Sequence, residues 1–125
     1  MDRPKTIFCD IDGTLMHHCG DITQQYKLNK QENILQNTIA NIKQWDRLGY
    51  KIILVTGRKE STRDATENQL SYLGIVYDDL IMGITSGDRI LINDRKQNSH
   101  RNTAYAFNVV RNKGLPLTDF TSNYV

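Results

Sequence analysis

Short apolar stretches that alternate with helical periodicity constrain the fold of this 125-residue chain more than any other feature. Each stretch is too short for a helix and is bounded by glycine, proline or polar residues, which is typical of buried strands. Strands are therefore predicted over residues 5–9, 51–55, 80–83 and 89–93.

Three amphipathic helices are predicted, over residues 33–48, 61–72 and 102–112. Ser61 is expected to cap the second. The first has the clearest period, because its apolar residues recur at spacings of three and four: Leu35, Ile39, Ile42, Trp45 and Leu48.

Strands that alternate with helices predict an α/β fold with a mostly parallel sheet and helices on both faces. One connection does not fit this pattern, because about five residues join stretches 80–83 and 89–93, too few for a helical crossover. These two strands either form a hairpin or are not neighbours. Residues 17–31 show no period and are predicted to be a long loop.

Composition predicts one cytoplasmic domain over residues 1–116, followed by a tail over residues 117–125. A net charge of +2 is too small to favour nucleic acid or an acidic membrane as partner. No apolar stretch is long enough to span a bilayer, and the charged N-terminus is unlike a signal peptide. Two cysteines do not form a disulfide framework, which favours a reducing compartment.

Polar residues follow three of the predicted strands. Asp10 and Asp12 follow the first, Thr56 follows the second, and Asp94 follows the fourth. Ligands of open parallel sheets bind beyond the carboxyl ends of the strands. We therefore expect these four side chains to converge on one small region.

Three carboxylates in one place repel one another unless a cation lies among them, and their oxygen ligands suit Mg²⁺. The Thr56 hydroxyl, the Gly57 amide and the side chain of Arg58 or Lys96 suit an anion. One carboxylate beside such a pocket can attack phosphorus, and a second can transfer protons to the leaving group and from water.

The segment Phe8–Leu15 reads FCDIDGTL and resembles the first signature of the haloacid dehalogenase (HAD) superfamily of phosphatases. ILVT at residues 53–56 and LINDR at 91–95 follow in the order that the superfamily requires. The similarity covers residues 5–113 and implies a three-layer, Rossmann-like HAD core. The order resembles small capless members, including phosphatases of capsule and sugar biosynthesis, which implies that a homo-oligomer covers the site.

The resemblance also assigns roles to individual residues. Asp10 would be the nucleophile and a metal ligand. Asp12 would be the general acid/base, and its main-chain carbonyl would bind the metal. Thr56 would hydrogen-bond the transferred phosphoryl group, and Asp94 would hold Mg²⁺.

Two positions depart from the superfamily pattern. Ile84 stands where a lysine is expected, and Lys96 is the favoured substitute, with Arg58, Arg89 and Arg95 as the others. Asn93 precedes Asp94 where many members have a second acid, which should weaken Mg²⁺ binding.

The expected function is therefore a Mg²⁺-dependent phosphatase that hydrolyses a small phosphorylated metabolite, a sugar phosphate by resemblance. One alternative is a catalytically weakened member that binds a phosphorylated ligand or a protein. A nucleic-acid end phosphatase is less favoured, because the charge is near neutral and no basic, aromatic-lined stripe is evident.

Several residues are given no catalytic role. His17, His18 and Cys19 lack metal-ligand spacing and are interpreted as an entrance loop. An exposed charged face is expected for three cations of the C-terminal third, Arg101, Arg111 and Lys113. Phe120 and Tyr124 in the tail are either disordered or packed on a neighbouring subunit.

Overall fold

The computed structural model describes residues 3–121. It contains a three-stranded parallel sheet, α-helices on the connections between strands, and two short 3₁₀ turns at Gln31–Asn33 and Glu60–Thr62. The strands and α-helices, in chain order, are β1 (Thr6–Asp10), α1 (Ile22–Gln25), α2 (Thr38–Arg47), β2 (Lys51–Val55), α3 (Arg63–Leu73) and β3 (Asp79–Ile81). The α/β class and the parallel sheet predicted from the sequence are confirmed.

The strands lie in the order β1-β2-β3, so β1 is an edge of the sheet within the described residues. Cys9 of β1 pairs with Leu54 of β2, which pairs with Leu80 of β3. All three residues are buried. Because side chains alternate along a strand, this row marks the face of the sheet that carries the core.

The opposite face of the sheet is only partly covered. Phe8 and Ile81 point to that face and are 54% and 41% exposed, whereas Ile53, which pairs with Phe8, is buried.

Helices α2 and α3 fill the core with the apolar stripe that the sequence predicts. Ile42 and Trp45 of α2, and Leu70 and Leu73 of α3, are almost completely buried. Helix α3 ends at Gly74, whose φ of 78° is a left-handed conformation that glycine adopts without strain. The period of three and four residues therefore places both helices correctly.

Two predicted elements are wrong. Residues 89–93 form no strand and residues 102–112 form no helix. The apolar side chains of the first are exposed, Ile92 by 88%. A strand is stable only when a neighbour pairs with it, and an isolated helix of this length is marginal without a packed face. Neither segment has such a partner here.

Three element boundaries also differ from the prediction. Helix α2 begins at Thr38 rather than near residue 33, because Ile34 forms a bridge with Met16 and the Leu35 amide bonds to the Leu15 carbonyl. Ser61 lies inside a 3₁₀ turn, so Thr62 rather than Ser61 precedes α3. The predicted loop 17–31 contains the short helix α1.

Residues 114–121 pack along α2, and we call them the C-terminal clasp. Asn41 donates to the Pro116 carbonyl and accepts from the Thr118 amide, both at 3.0 Å. Trp45 donates to the Thr118 carbonyl at 2.8 Å, and its ring lies 5.6 Å from that of Phe120. The start of the predicted tail thus belongs to the fold of its own chain, whereas Tyr124 lies outside the described residues.

Two further expectations concern a membrane-spanning helix and the state of the two cysteines. Among residues 3–121, no helix is both long and apolar enough to cross a bilayer. Cys9 is buried and Cys19 is exposed, and both are free thiols.

Candidate active site

The turn after β1 presents Asp10 and Asp12 at the carboxyl end of the sheet. The Ile11 carbonyl accepts from the amides of Thr14, Leu15 and Met16, at 3.2, 2.9 and 3.2 Å. Gly13 has a φ of 89°, which a residue with a side chain adopts only with strain. This tight turn fixes the two carboxylates on either side of the buried Ile11.

The Asp10 carboxyl lies in surroundings that raise its pKa. Partial desolvation raises its pKa, and the charge of Asp12 adds to this effect. The Thr14 hydroxyl, which donates to Asp10 Oδ2 at 3.1 Å, lowers the pKa, as does the more distant charge of Arg89. Its carboxylate therefore remains open to an incoming group, as a nucleophile requires.

Asp12 is held by three hydrogen bonds to its carboxylate. Arg58 donates from Nε to Oδ2 at 2.8 Å and from Nη2 to Oδ1 at 2.7 Å, a bidentate pair. Gln25 Nε2 donates to Oδ1 at 2.8 Å. Two of these bonds come from Arg58 and one from Gln25, so both oxygens of the carboxylate are fixed in direction.

Arg58 uses its remaining N–H groups inside the protein. Nη1 donates to Gln69 at 2.7 Å and to Thr66 at 3.3 Å, and Nη2 approaches the Met16 sulfur at 3.6 Å. The guanidinium also lies 4.9 Å from the centre of the Tyr26 ring. Arg58 was predicted to bind substrate, but in this arrangement no donor of its guanidinium is left for a phosphate.

Thr56 lies directly after β2 and is buried, as the predicted site requires. Its hydroxyl accepts from the Arg58 amide at 3.0 Å. A Cβ at Gly57 would lie 3.4 Å from the Ile84 carbonyl, so the backbone of residue 84 runs close beside Gly57. Thr56 and Gly57 thus lie at the same carboxyl end of the sheet as Asp10.

The structure does not bring Asp94 into this group. Its main-chain carbonyl accepts from the Thr103 hydroxyl, and Asp94 lines a shallow surface pocket made by residues 91–95 and 102–104. Within residues 3–121, no three His, Cys, Asp or Glu side chains lie close enough to hold a metal ion together. The expected cluster of three carboxylates is therefore absent from this arrangement.

The cations proposed to replace the missing lysine lie in different places. Lys96 is exposed, and its main-chain carbonyl accepts from the Ser99 amide. Arg95 donates to the Asn102 side chain. Among the described residues, Arg89 is the cation whose charge lowers the pKa of Asp10. This electrostatic effect favours Arg89 over Lys96 for that role.

Three residues at the site were not predicted from the sequence. Gln25 reaches Asp12 from α1, which Asp21 caps by accepting from the Thr23 amide. Arg111 Cγ lies 3.1 Å from the position of a Cβ at Gly13, and the Asn112 amide donates to the Gly13 carbonyl at 2.8 Å. The Asp21 cap is a local signal for α1, but these long-range contacts have no signature in sequence.

Asn112 also fixes the entrance loop. Its side chain accepts from the His18 amide at 2.8 Å and donates to the His18 carbonyl at 3.1 Å. The backbone at residues 111–112 is thereby attached to the turn that carries Asp12. His18 takes part through its main chain, which agrees with an entrance loop rather than a metal ligand.

Comparison with protein families shows to which family this chain belongs. Residues 4–106 match the family model of the polynucleotide kinase PNKP phosphatase domain, which belongs to the HAD superfamily. The chain belongs to this family. It is accordingly a phosphatase domain of the HAD type, as the FCDIDGTL signature implied.

Two solved structures are similar to this HAD-type domain. One, described as the Pnkp1/Rnl/Hen1 complex, is 34% identical over 70% of this chain, with a TM-score of 0.50. The other, described as the Pnkp1/Rnl/Hen1 RNA repair complex, is 29% identical over 78%, with a TM-score of 0.51. This chain spans only 30% and 28% of the length of those chains. No curated protein matches it.

Proposed function

We propose that the chain hydrolyses a terminal phosphate monoester of a polynucleotide through an aspartyl-phosphate on Asp10. The match of residues 4–106 to the polynucleotide kinase phosphatase domain is the observation that carries this proposal. The sugar phosphate expected from the sequence was based on resemblance to capless members alone. The family match favours a polynucleotide end instead.

In the first step, a carboxylate oxygen of Asp10 attacks phosphorus and the bond to the leaving oxygen breaks. The Thr14 hydroxyl, which bonds Oδ2, orients the Asp10 carboxylate. Asp12, two residues further on, enters this step with a protonated carboxyl group and gives its proton to the leaving oxygen, which departs as the hydroxyl of the shortened substrate. Asp12 is left as a carboxylate. Arg89 supplies positive charge near Asp10, where the family lysine would act.

In the second step, water attacks the phosphorus of the aspartyl-phosphate and the bond between phosphorus and Asp10 breaks. Asp12 accepts the proton of the water, and orthophosphate leaves. The three hydrogen bonds that Asp12 accepts hold its side chain in place for this transfer.

Arg58 acts in this proposal as a positioning residue for Asp12. Its planar guanidinium fixes both oxygens of the carboxylate at once, which a lysine cannot do. Gln25 fixes the same carboxylate from the other side, through α1. The two side chains therefore set the direction in which Asp12 passes its proton.

Mg²⁺ is the proposed cofactor, as is general for HAD phosphatases. The donor set is compatible with it, because Mg²⁺ often binds through one or two carboxylates, waters and substrate phosphate. Asp10 and the main-chain carbonyl of Asp12 would hold it here. When bound, the ion would neutralise charge on the transferred phosphoryl group.

Phosphate release from a matched substrate panel tests the proposal. The panel contains oligonucleotides with a 3′-phosphate or a 5′-phosphate and a set of sugar phosphates, each with and without Mg²⁺. We expect hydrolysis of an oligonucleotide end, and its loss in Asp10→Asn with the fold unchanged by circular dichroism. Asp64→Asn, an exposed acid at the start of α3, is the control.

Two results would overturn the proposal. Full turnover by Asp10→Asn would remove the aspartyl-phosphate mechanism. Hydrolysis of sugar phosphates, with no release from either oligonucleotide, would instead restore the sequence-based expectation.

A further inference from the structure

The near-neutral net charge of this chain conceals an uneven distribution along the sequence. Residues 3–83 contain ten Lys or Arg and ten Asp or Glu. Residues 84–113, which we call the basic segment, contain six Lys or Arg and only two acids, a net charge of +4. The six cations are Arg89, Arg95, Lys96, Arg101, Arg111 and Lys113.

All six cations of the basic segment are exposed to solvent. Within residues 3–121, the ion pairs involve only Arg58 and Arg63 as cations, so none neutralises the basic segment. The segment forms no helix or strand. The six side chains therefore place a net positive charge on the surface of this segment.

The two ends of the basic segment approach the active site. Arg89, near its start, acts electrostatically on Asp10. Arg111, near its end, packs over Gly13, and Asn112 bonds to both Gly13 and His18. Both ends of the basic segment therefore act on the turn that carries Asp10 and Asp12.

We propose that the basic segment is the surface on which a single-stranded polynucleotide binds, with its phosphodiesters along the segment and its terminal phosphate at Asp10. This inference rests on the proposed function for the position of the end. A polyanion that enters the site needs positive charge outside it, because the phosphates next to the end are not themselves hydrolysed.

An exposed aromatic ring supports a single strand as the ligand. Tyr105 lies in the basic segment between Arg101 and Arg111 and is 37% exposed. Its ring centre is 6.5 Å from that of Phe107. Proteins that bind single strands combine positive charge along the backbone with aromatic rings on which bases stack.

The test measures binding of an oligonucleotide that has no terminal phosphate. A fluorescein-labelled single-stranded DNA 12-mer, and the same sequence as RNA, are titrated by fluorescence anisotropy at several salt concentrations. The variant combines Arg95→Gln, Lys96→Gln, Arg101→Gln and Lys113→Gln. The control variant replaces four exposed cations of residues 3–83, as Lys27→Gln, Lys43→Gln, Arg47→Gln and Lys51→Gln.

We expect the basic-segment variant to bind at least about tenfold more weakly than the control, with a shallower salt dependence. The slope of log K against log salt should become less negative by about 0.7 for each phosphate contact removed. Tyr105→Ala should weaken binding several-fold without a change in that slope.

Equal affinity and equal salt slope for the two quadruple variants would overturn the proposal. This outcome is distinct from failure of the proposed function, because the ligand carries no bond that Asp10 could hydrolyse. A wild-type protein that binds the 12-mer but hydrolyses no oligonucleotide end would refute the function and leave the surface in place.

Discussion

Residues 3–83 and the basic segment of this chain differ in regular structure, in burial and in charge. Residues 3–83 contain all the strands and helices, a buried core and a balanced charge. Residues 84–113 contain no regular element and carry a net charge of +4 on exposed side chains. The comparison teaches that the part with regular elements holds Asp10 and Asp12, whereas the irregular part supplies the positive charge.

The largest difference is expected between two arginines, one in each region. Arg58→Met should lower the free energy of unfolding by about 3–5 kcal/mol, because Asp12 loses its buried partner. Arg101→Met should change it by no more than about 0.5 kcal/mol, because that side chain is exposed. Urea unfolding measures both. Equal losses would show that the basic segment is as tightly packed as the core.

Two isoleucines give a matched comparison of apolar burial. Ile52, in β2, is 1% exposed, and Ile52→Ala should cost about 2–5 kcal/mol of stability. Ile92 is 88% exposed, and Ile92→Ala should cost no more than about 0.5 kcal/mol. The measurement is again urea unfolding of the two variants. A large loss for Ile92→Ala would mean that residues 89–93 are buried in solution, as the sequence predicted.

Gly114 tests how firmly the C-terminal clasp is attached. It has a φ of 77°, and a Cβ there would lie 2.6 Å from the Gln36 carbonyl oxygen. Gly114→Ala should therefore cost about 2–4 kcal/mol, through strain and a steric clash. Gly20→Ala is the control, because its φ is also positive and nothing lies within 4 Å of its Cβ position. Similar losses for both would show that the close approach to Gln36 contributes nothing.

The two cysteines give the smallest expected effect. Their alkylation in the unmutated protein reports whether each thiol is buried. Burial raises the pKa of the Cys9 thiol to about 12, so it stays protonated and unreactive at pH 8. Cys19 is exposed. Iodoacetamide should modify one thiol in the native protein and two in urea, as counted by mass spectrometry. Native labelling of a Cys19→Ser variant would contradict the buried position of Cys9.

The sequence predicted the elements of the first 83 residues because their signals are local. The stretch KIILV at β2 and the apolar period of α2 each need only neighbours along the chain to be recognised. The same reasoning failed at residues 89–93 and 102–112. There the pattern was correct for a strand and a helix, but no packed partner stabilises either one.

The candidate site was predicted in part. Asp10 ends β1, Asp12 lies two residues beyond it and Thr56 follows β2, close to where their positions in sequence indicated. The bond between Arg58 and Asp12 joins residues 46 positions apart, so no local pattern could assign that role. The clasp escaped prediction for a related reason. Side chains of α2 bond to its backbone, so its own sequence carries no period.

Strand β1 pairs with β2 on one side only within residues 3–121, and this has a consequence for Asp10 at its end. The outward backbone groups of an edge strand bond to water and are available to another strand. Hydrogen exchange should therefore be faster at the outward amides of β1 than in the central strand β2. Any segment that came to pair along this edge would restrict the motion of Asp10 directly, without touching its carboxylate.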